Sequence, residues 1–122
     1  MPIVDIELVA ASAPGTGGAS ARVLADSLGE VFGSQPGRTW VRVRILDSLA
    51  YAENGTDVSS DDLPVFVTVL HAHLTEGEAL VDEVGAVTAV LARCLGRHPD
   101  RVHVQYAPAA TGRQAFGGKL VS

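Results

Sequence analysis

Apolar residues alternate over Pro2 to Ala10, with Val4, Ile6 and Leu8 on one side and Ile3, Asp5, Glu7 and Val9 on the other. That pattern predicts a strand with one mainly apolar face. From about Ala19 to Phe32 the period lengthens, and Val23, Leu24, Leu28, Val31 and Phe32 form a helical stripe that Ser34-Gln35-Pro36-Gly37 closes. Arg38 to Leu46 alternates again, with Trp40, Arg42 and Arg44 opposite Val41, Val43 and Ile45. The pattern then restarts. Pro64 to about Leu74 reads as a strand, Leu80, Val84, Val87, Leu91 and Leu95 as a helical stripe, and Val102 to Tyr106 as a strand. Thr75 and Glu78 have capping-box spacing, with Thr75 as N-cap. Asn54-Gly55 marks a turn after Tyr51 and Glu53, Asp57 to Asp62 is a polar connector, and Gly117-Gly118 bends the tail.

The order is therefore strand, helix, strand, twice over. The two halves, about residues 2–48 and 64–107, align at an offset of about 62 residues, Pro2 against Pro64. Each half is long enough for a βαβ crossover with parallel strands. The expected fold is α+β: tandem βαβ units forming one four-stranded mixed sheet with two helices on one face. A carboxy-terminal hairpin over 113–122 completes a single domain spanning 1–122. The other sheet face is left bare, and Trp40 on it favours a partner subunit.

Composition narrows the function. With 47% hydrophobic and 19% charged residues, the chain has the make-up of a globular protein. A net charge of −5 and a single lysine, Lys119, argue against nucleic-acid binding. Eight arginines carry the rest of the positive charge, and their planar forks suit carboxylates. One cysteine, Cys94, excludes an internal disulfide framework and reads as core. No signal-peptide pattern and no long apolar run is present, so a soluble, cytoplasmic location without membrane contact is expected. Asn54-Gly55-Thr56 matches a glycosylation sequon, which has little weight in such a setting.

Candidate chemistry starts at Pro2. If Met1 is removed, Pro2 carries a secondary amine at the head of an apolar strand; if Met1 stays, the same nitrogen is an amide without basicity. A free α-amine titrates at about 7.7–8.0, and an apolar pocket or a nearby guanidinium lowers that value toward the range of a general base. Pro64 lies inside the chain and can only be an amide. The glycine-rich stretch from Ala11 to Gly18 lacks the Gly-Lys-Ser/Thr ending of a phosphate loop, so no nucleotide site is expected there. His71 and His73 sit two apart near a strand end, but no third ligand is evident and no metal or other cofactor is expected.

Met-Pro heading one βαβ unit, with a second in tandem over about 120 residues, resembles the tautomerase superfamily. Val41-Arg42-Val43 in the second strand is similar to the segment of the 4-oxalocrotonate tautomerase family that carries a substrate-binding arginine. His73-Leu74-Thr75-Glu76-Gly77 resembles that family's turn from strand into helix. Phe116-Gly117-Gly118-Lys119-Leu120 resembles its carboxy-terminal hairpin. Asp100 to Tyr106 is similar to the penultimate strand of the macrophage migration inhibitory factor family.

The resemblance implies a homotrimer with active sites at subunit boundaries, one per chain. It implies a tautomerase (an isomerase) acting on a small-molecule carboxylate, a 2-oxo acid, with Pro2 as general base. Arg42 would bind the carboxylate and polarise the keto oxygen, with Arg44 beside it on the same strand face. His103 and Gln105 stand where the cytokine-like branch has tyrosine and asparagine, and would contact the enol from a neighbouring subunit. His73 lies where some relatives keep catalytic arginines, and Tyr51, with Glu53, follows the Arg42 strand on a loop that could cover the pocket. The family's other arginine, early in the helix, is missing: Ala13-Pro14-Gly15-Thr16 stand there in the first half and Glu78 in the second. That departure weighs against a dicarboxylate such as 2-hydroxymuconate. Two other readings remain open. The same site could serve hydration, dehalogenation or decarboxylation of an acrylate-like acid, with a protonated Pro2 as general acid. Or the chain could be a non-catalytic trimeric binding module that keeps Met1.

Overall fold

A computed structural model describes residues 1–11 and 20–122. Strand β1 (Ile3–Ala10) leads to helix α1 (Ala21–Phe32) and strand β2 (Trp40–Asp47), and a 3₁₀ turn (Ser48–Ala50) follows. Strand β3 (Val65–Leu70), helix α2 (Gly77–Leu95) and strand β4 (Val102–Tyr106) repeat the pattern, with a 3₁₀ turn (Pro99–Arg101) before β4. Short strands β5 (Ala115–Phe116) and β6 (Lys119–Leu120) pair as a hairpin. The glycine-rich loop judged unfit for nucleotide falls, apart from its first residue, outside the described residues.

The main sheet has the order β2-β1-β3-β4. The β1/β2 and β3/β4 pairs are parallel, and β1 and β3 join the two halves antiparallel. This is the mixed sheet that the doubled pattern predicts. Val4, Ile6 and Leu8 of β1 and Val65, Val67 and Val69 of β3 point to one face, where Leu24 and Leu28 of α1 and Val87, Leu91, Ala92 and Leu95 of α2 cover them. Both helices therefore lie on one face. Burial of this face stabilises the fold by about 25 cal/mol for each Å² of apolar surface removed from water. Ile45, at the end of the apolar side of β2, escapes that cover and is 58% exposed.

Local chemistry sets the helix ends. Ser20 caps α1, its hydroxyl accepting from the Val23 amide at 3.2 Å. Gly33 ends the helix at φ 64°, a left-handed conformation that costs glycine little, and its amide and that of Ser34 return to the Glu30 and Gly29 carbonyls. Two expectations are corrected in the second half. β3 stops at Leu70 instead of running to about Leu74, because the next carbonyls bond elsewhere: His71 accepts from the Ala110 amide at 2.9 Å and Ala72 from Thr111 at 3.1 Å. The capping box is absent too. Gly77, at φ 61°, moves the helix start past Thr75, so Glu76 is the N-cap and makes no side-chain cap bond.

Polar side chains fasten the ends of the sheet. The Arg97 guanidinium, just beyond α2, donates to the carbonyls of Leu63 at 2.6 Å and Val9 at 2.9 Å. It ties α2 to β1 and to the connector entering β3. No helix among the described residues is long and apolar enough to cross a membrane.

Candidate active site

The sheet face opposite the helices carries three rows of side chains, fixed by strand register. Trp40, Ile3 and Leu70 form the first, Arg42, Asp5, Thr68 and Gln105 the second, and Arg44, Glu7, Phe66 and His103 the third. Alternation delivers each of them to this face because their neighbours in sequence are needed in the core.

Pro2 precedes the first row. It is buried, and its carbonyl accepts from the Trp40 amide at 3.0 Å. The next residue, Ile3, lines a pocket of about 390 Å³ together with Trp40, Arg42 and Gln114 to Gly117. The hairpin supplies the outer wall: Phe116 meets Trp40 edge to face, centroids 4.8 Å apart, which leaves Trp40 45% exposed. The Trp40 ring nitrogen donates to the Gly37 carbonyl at 2.8 Å and fixes the indole. Burial, and then the Arg38 guanidinium, hold the Met1 amine below its ordinary value. An amine at this end of the strand is thus biased toward its neutral, basic form.

Arg42 reaches the pocket already engaged. Its Nε and Nη2 donate to the two carboxylate oxygens of Asp5 at 2.6 and 2.8 Å, a two-pronged pair across β1 and β2. The hydrogen bond from Arg42 chiefly, with the charges of Arg42 and Arg44 also contributing, keeps the Asp5 carboxyl below its usual range against the effect of burial. Arg44 is exposed, faces Glu7 across the strand pair, and lies one row further from Pro2.

Of the other sequence candidates, His103 and Tyr51 lie apart from Pro2 within one chain. The row of Phe66 and His103 is four residues from Ile3 along β1, about 13 Å at the usual rise of a strand. His103 is exposed beside Phe66, centroids 5.5 Å apart, and Gln105 donates to the Thr68 hydroxyl at 2.9 Å. Tyr51 also packs on Phe66, centroids 5.9 Å apart. Its hydroxyl donates to Glu53 at 2.6 Å, and Arg101 donates to the same oxygen at 2.5 Å. Glu53 is therefore pinned between two donors, Arg101 first and then Tyr51, whose hydrogen bonds lower its pKa, while the bond to Glu53 raises that of Tyr51 against the opposing effect of Arg101. His73 is exposed and lies 3.3 Å from the Thr111 hydroxyl. His71 belongs to the helix side, where it contacts Glu83 at 3.0 Å and packs edge-on to Phe32. Among the described residues, no group of three or more His, Cys, Asp or Glu is placed to hold a metal ion.

Sequence reasoning passed over Asp5, Phe116 and Arg101. For Asp5 a signal was present: two acids at alternate positions of β1 and two arginines at alternate positions of β2. Phe116 and Arg101 enter only through the hairpin and last-strand resemblances, with no role in a site, since each meets its partner only after the chain has folded.

No family model and no curated protein matches the sequence. Solved structures do match in shape. A fused 4-OT, described as a wild-type symmetric trimer, superposes with a TM-score of 0.75 at 13% identity, over 98% of this chain and 94% of that one. A macrophage migration inhibitory factor of Toxoplasma gondii does so with 0.68 at 17% identity, over 97% and 98%. A malonate semialdehyde decarboxylase does so with 0.64 at 20% identity, over 94% and 90%. All three proteins are members of the tautomerase superfamily.

Proposed function

The chain has the fold of the tautomerase superfamily, and we propose that it is a tautomerase of small 2-oxo acids in which the Pro2 amine, freed of Met1, is the base. The observation that carries this reading is the position of Pro2. It is buried at the head of β1, bonded to Trp40 and next in sequence to Ile3, which lines a small open pocket with Trp40, Arg42 and Phe116. A neutral secondary amine there would take a proton from the carbon beside a keto group, or from an enol hydroxyl, and return it to another atom of the same substrate. Arg42 would hold the carboxylate and favour the enolate-like charge of the transition state.

In this reading the protein is a homotrimer. One fused relative is described as a symmetric trimer, and the bare sheet face of this chain, with Trp40 partly exposed on it, calls for cover. His103 and Gln105, too far along the sheet to meet their own Pro2, would meet that of a neighbouring subunit. Arg44 would guide the anion inward, and Tyr51 and His73 would border the route.

A second reading has its own support. The malonate semialdehyde decarboxylase neighbour is described with decarboxylase and hydratase activities. A protonated Pro2 would then serve as general acid. The pKa of the amine separates the two: near or below neutrality favours the base, well above it the acid.

Intact mass and turnover decide. Protein lacking Met1 should ketonise phenylenolpyruvate or 2-hydroxymuconate, and Pro2→Ala, which leaves a primary amine, should lower kcat/KM about 10²-fold. Processed protein inert to both enols, or activity unchanged in both Pro2→Ala and Arg42→Ala, would refute the tautomerase reading.

A further inference from the structure

We propose that Asp5 is the specificity-determining residue of this pocket: it holds Arg42 by one edge of the guanidinium and limits the charge a guest can bring. The inference rests on the pocket described under the proposed function, with Arg42 as its anion-binding group.

The Nε–Nη2 edge of Arg42 is filled by both Asp5 oxygens. A guanidinium has two edges that can grip a carboxylate in two-pronged fashion. With one taken, a guest carboxylate is left the Nη1–Nη2 edge, held in a fixed orientation by the bond on the other side. Asp5 therefore acts as a positioning residue, through Arg42.

It also acts on charge. The pair is neutral overall, and the next row repeats the arrangement, with Glu7 opposite Arg44. Across both rows two acids offset two arginines, so the surface beside the pocket presents directed N–H groups with little net field. Among the described residues, the rest of the pocket wall, Ile3, Trp40 and Gln114 to Gly117, adds no further cation. A singly charged acid can use the free edge of Arg42 without a large unbalanced charge. A doubly charged acid brings a second carboxylate that meets Asp5 and Glu7, whose charges already offset those of Arg42 and Arg44, at a cost that grows with its charge.

The test is binding, which needs no turnover. Phenylpyruvate, a monoanion, and 2-oxoglutarate, a dianion, are titrated into processed wild type and Asp5→Asn by calorimetry. Asp5→Asn should tighten 2-oxoglutarate about tenfold and phenylpyruvate by less than about threefold, so that their ratio of dissociation constants shifts toward the dianion. Adding Arg42→Gln to Asp5→Asn should cancel the gain. A structural role for Asp5 would weaken both acids together and leave the ratio unchanged, which would overturn the proposal, as would failure of either acid to bind either form. If Asp5→Asn does not melt cooperatively, Asp5→Ser is measured in its place by the same ratio. Protein that shows the shift but is inert to enols retains this inference and loses the tautomerase reading.

Discussion

The Tyr106 hydroxyl donates to Glu83 at 2.7 Å, bridging the last strand of the sheet and the middle of α2. The same carboxylate oxygen lies 3.0 Å from His71, whose ring stacks near Tyr106 at 6.0 Å. Burial first, then the bond to Glu83, push the Tyr106 phenol well above its ordinary value. The folded state thus favours the neutral phenol. Its contribution is complete below the unfolded value of about 10 and is lost as the pH rises above it. Urea unfolding at pH 7 and pH 11 should show Tyr106→Phe costing about 1–2 kcal/mol at pH 7 and less at pH 11. An equal cost at both pH values would show that the phenol is not held neutral by the fold.

Arg38 stands two residues before Trp40, in line with Met1 along the β1/β2 pair, and its charge disfavours a terminal ammonium. In processed protein the same charge should depress the Pro2 amine. Loss of a neighbouring cation raises an amine pKa, so Arg38→Gln should move the rising limb of log kcat/KM to higher pH by about half a unit. The plateau rate should change little. A lower plateau with an unmoved limb would assign Arg38 to substrate binding instead.

Arg97 is half-buried and spends its guanidinium on two carbonyls, those of Leu63 and Val9. Burial lowers its pKa. Arg97→Met keeps the stem and strands both acceptors, so a loss of about 2–3 kcal/mol in urea unfolding is expected. Arg97→Lys, with a single ammonium that cannot span both oxygens, should recover less than half. Full recovery by lysine would show that charge, and not the fork, is what counts.

Much of the fold was legible because the apolar residues obey two periods. Val4, Ile6 and Leu8 alternate, Leu24 and Leu28 or Val87 and Leu91 recur at helical spacing, and the alternation of Trp40, Arg42 and Arg44 against Val41 and Val43 foretells both faces of β2. Pattern failed where long-range bonds decide. Leu70 to Leu74 continues to alternate, yet residues 110 and 111, forty positions on, take the carbonyls that a longer β3 would have used. Thr75 and Glu78 have the right spacing for a cap, but the conformation of Gly77 sets the helix start. Arg42 could be picked out as an anion-binding group by residue type and place. That Asp5 already occupies it follows from the register of a parallel pair, which no local window contains.

The pocket wall formed by Gln114 to Gly117 belongs to a short hairpin tied to the rest of the fold at its entry, where the Ala110 amide donates to His71 and the Thr111 amide and hydroxyl to Ala72, and by the Phe116–Trp40 ring contact. None of its strands joins the main sheet. Segments attached so lightly open at a free energy well below that of global unfolding. The amides of residues 115–120 should therefore exchange with solvent while those of β1 and β3 stay protected. The hairpin wall of the pocket at the head of β1 would then be a separate cooperative unit from the scaffold that supports it, able to come and go while the sheet stays folded.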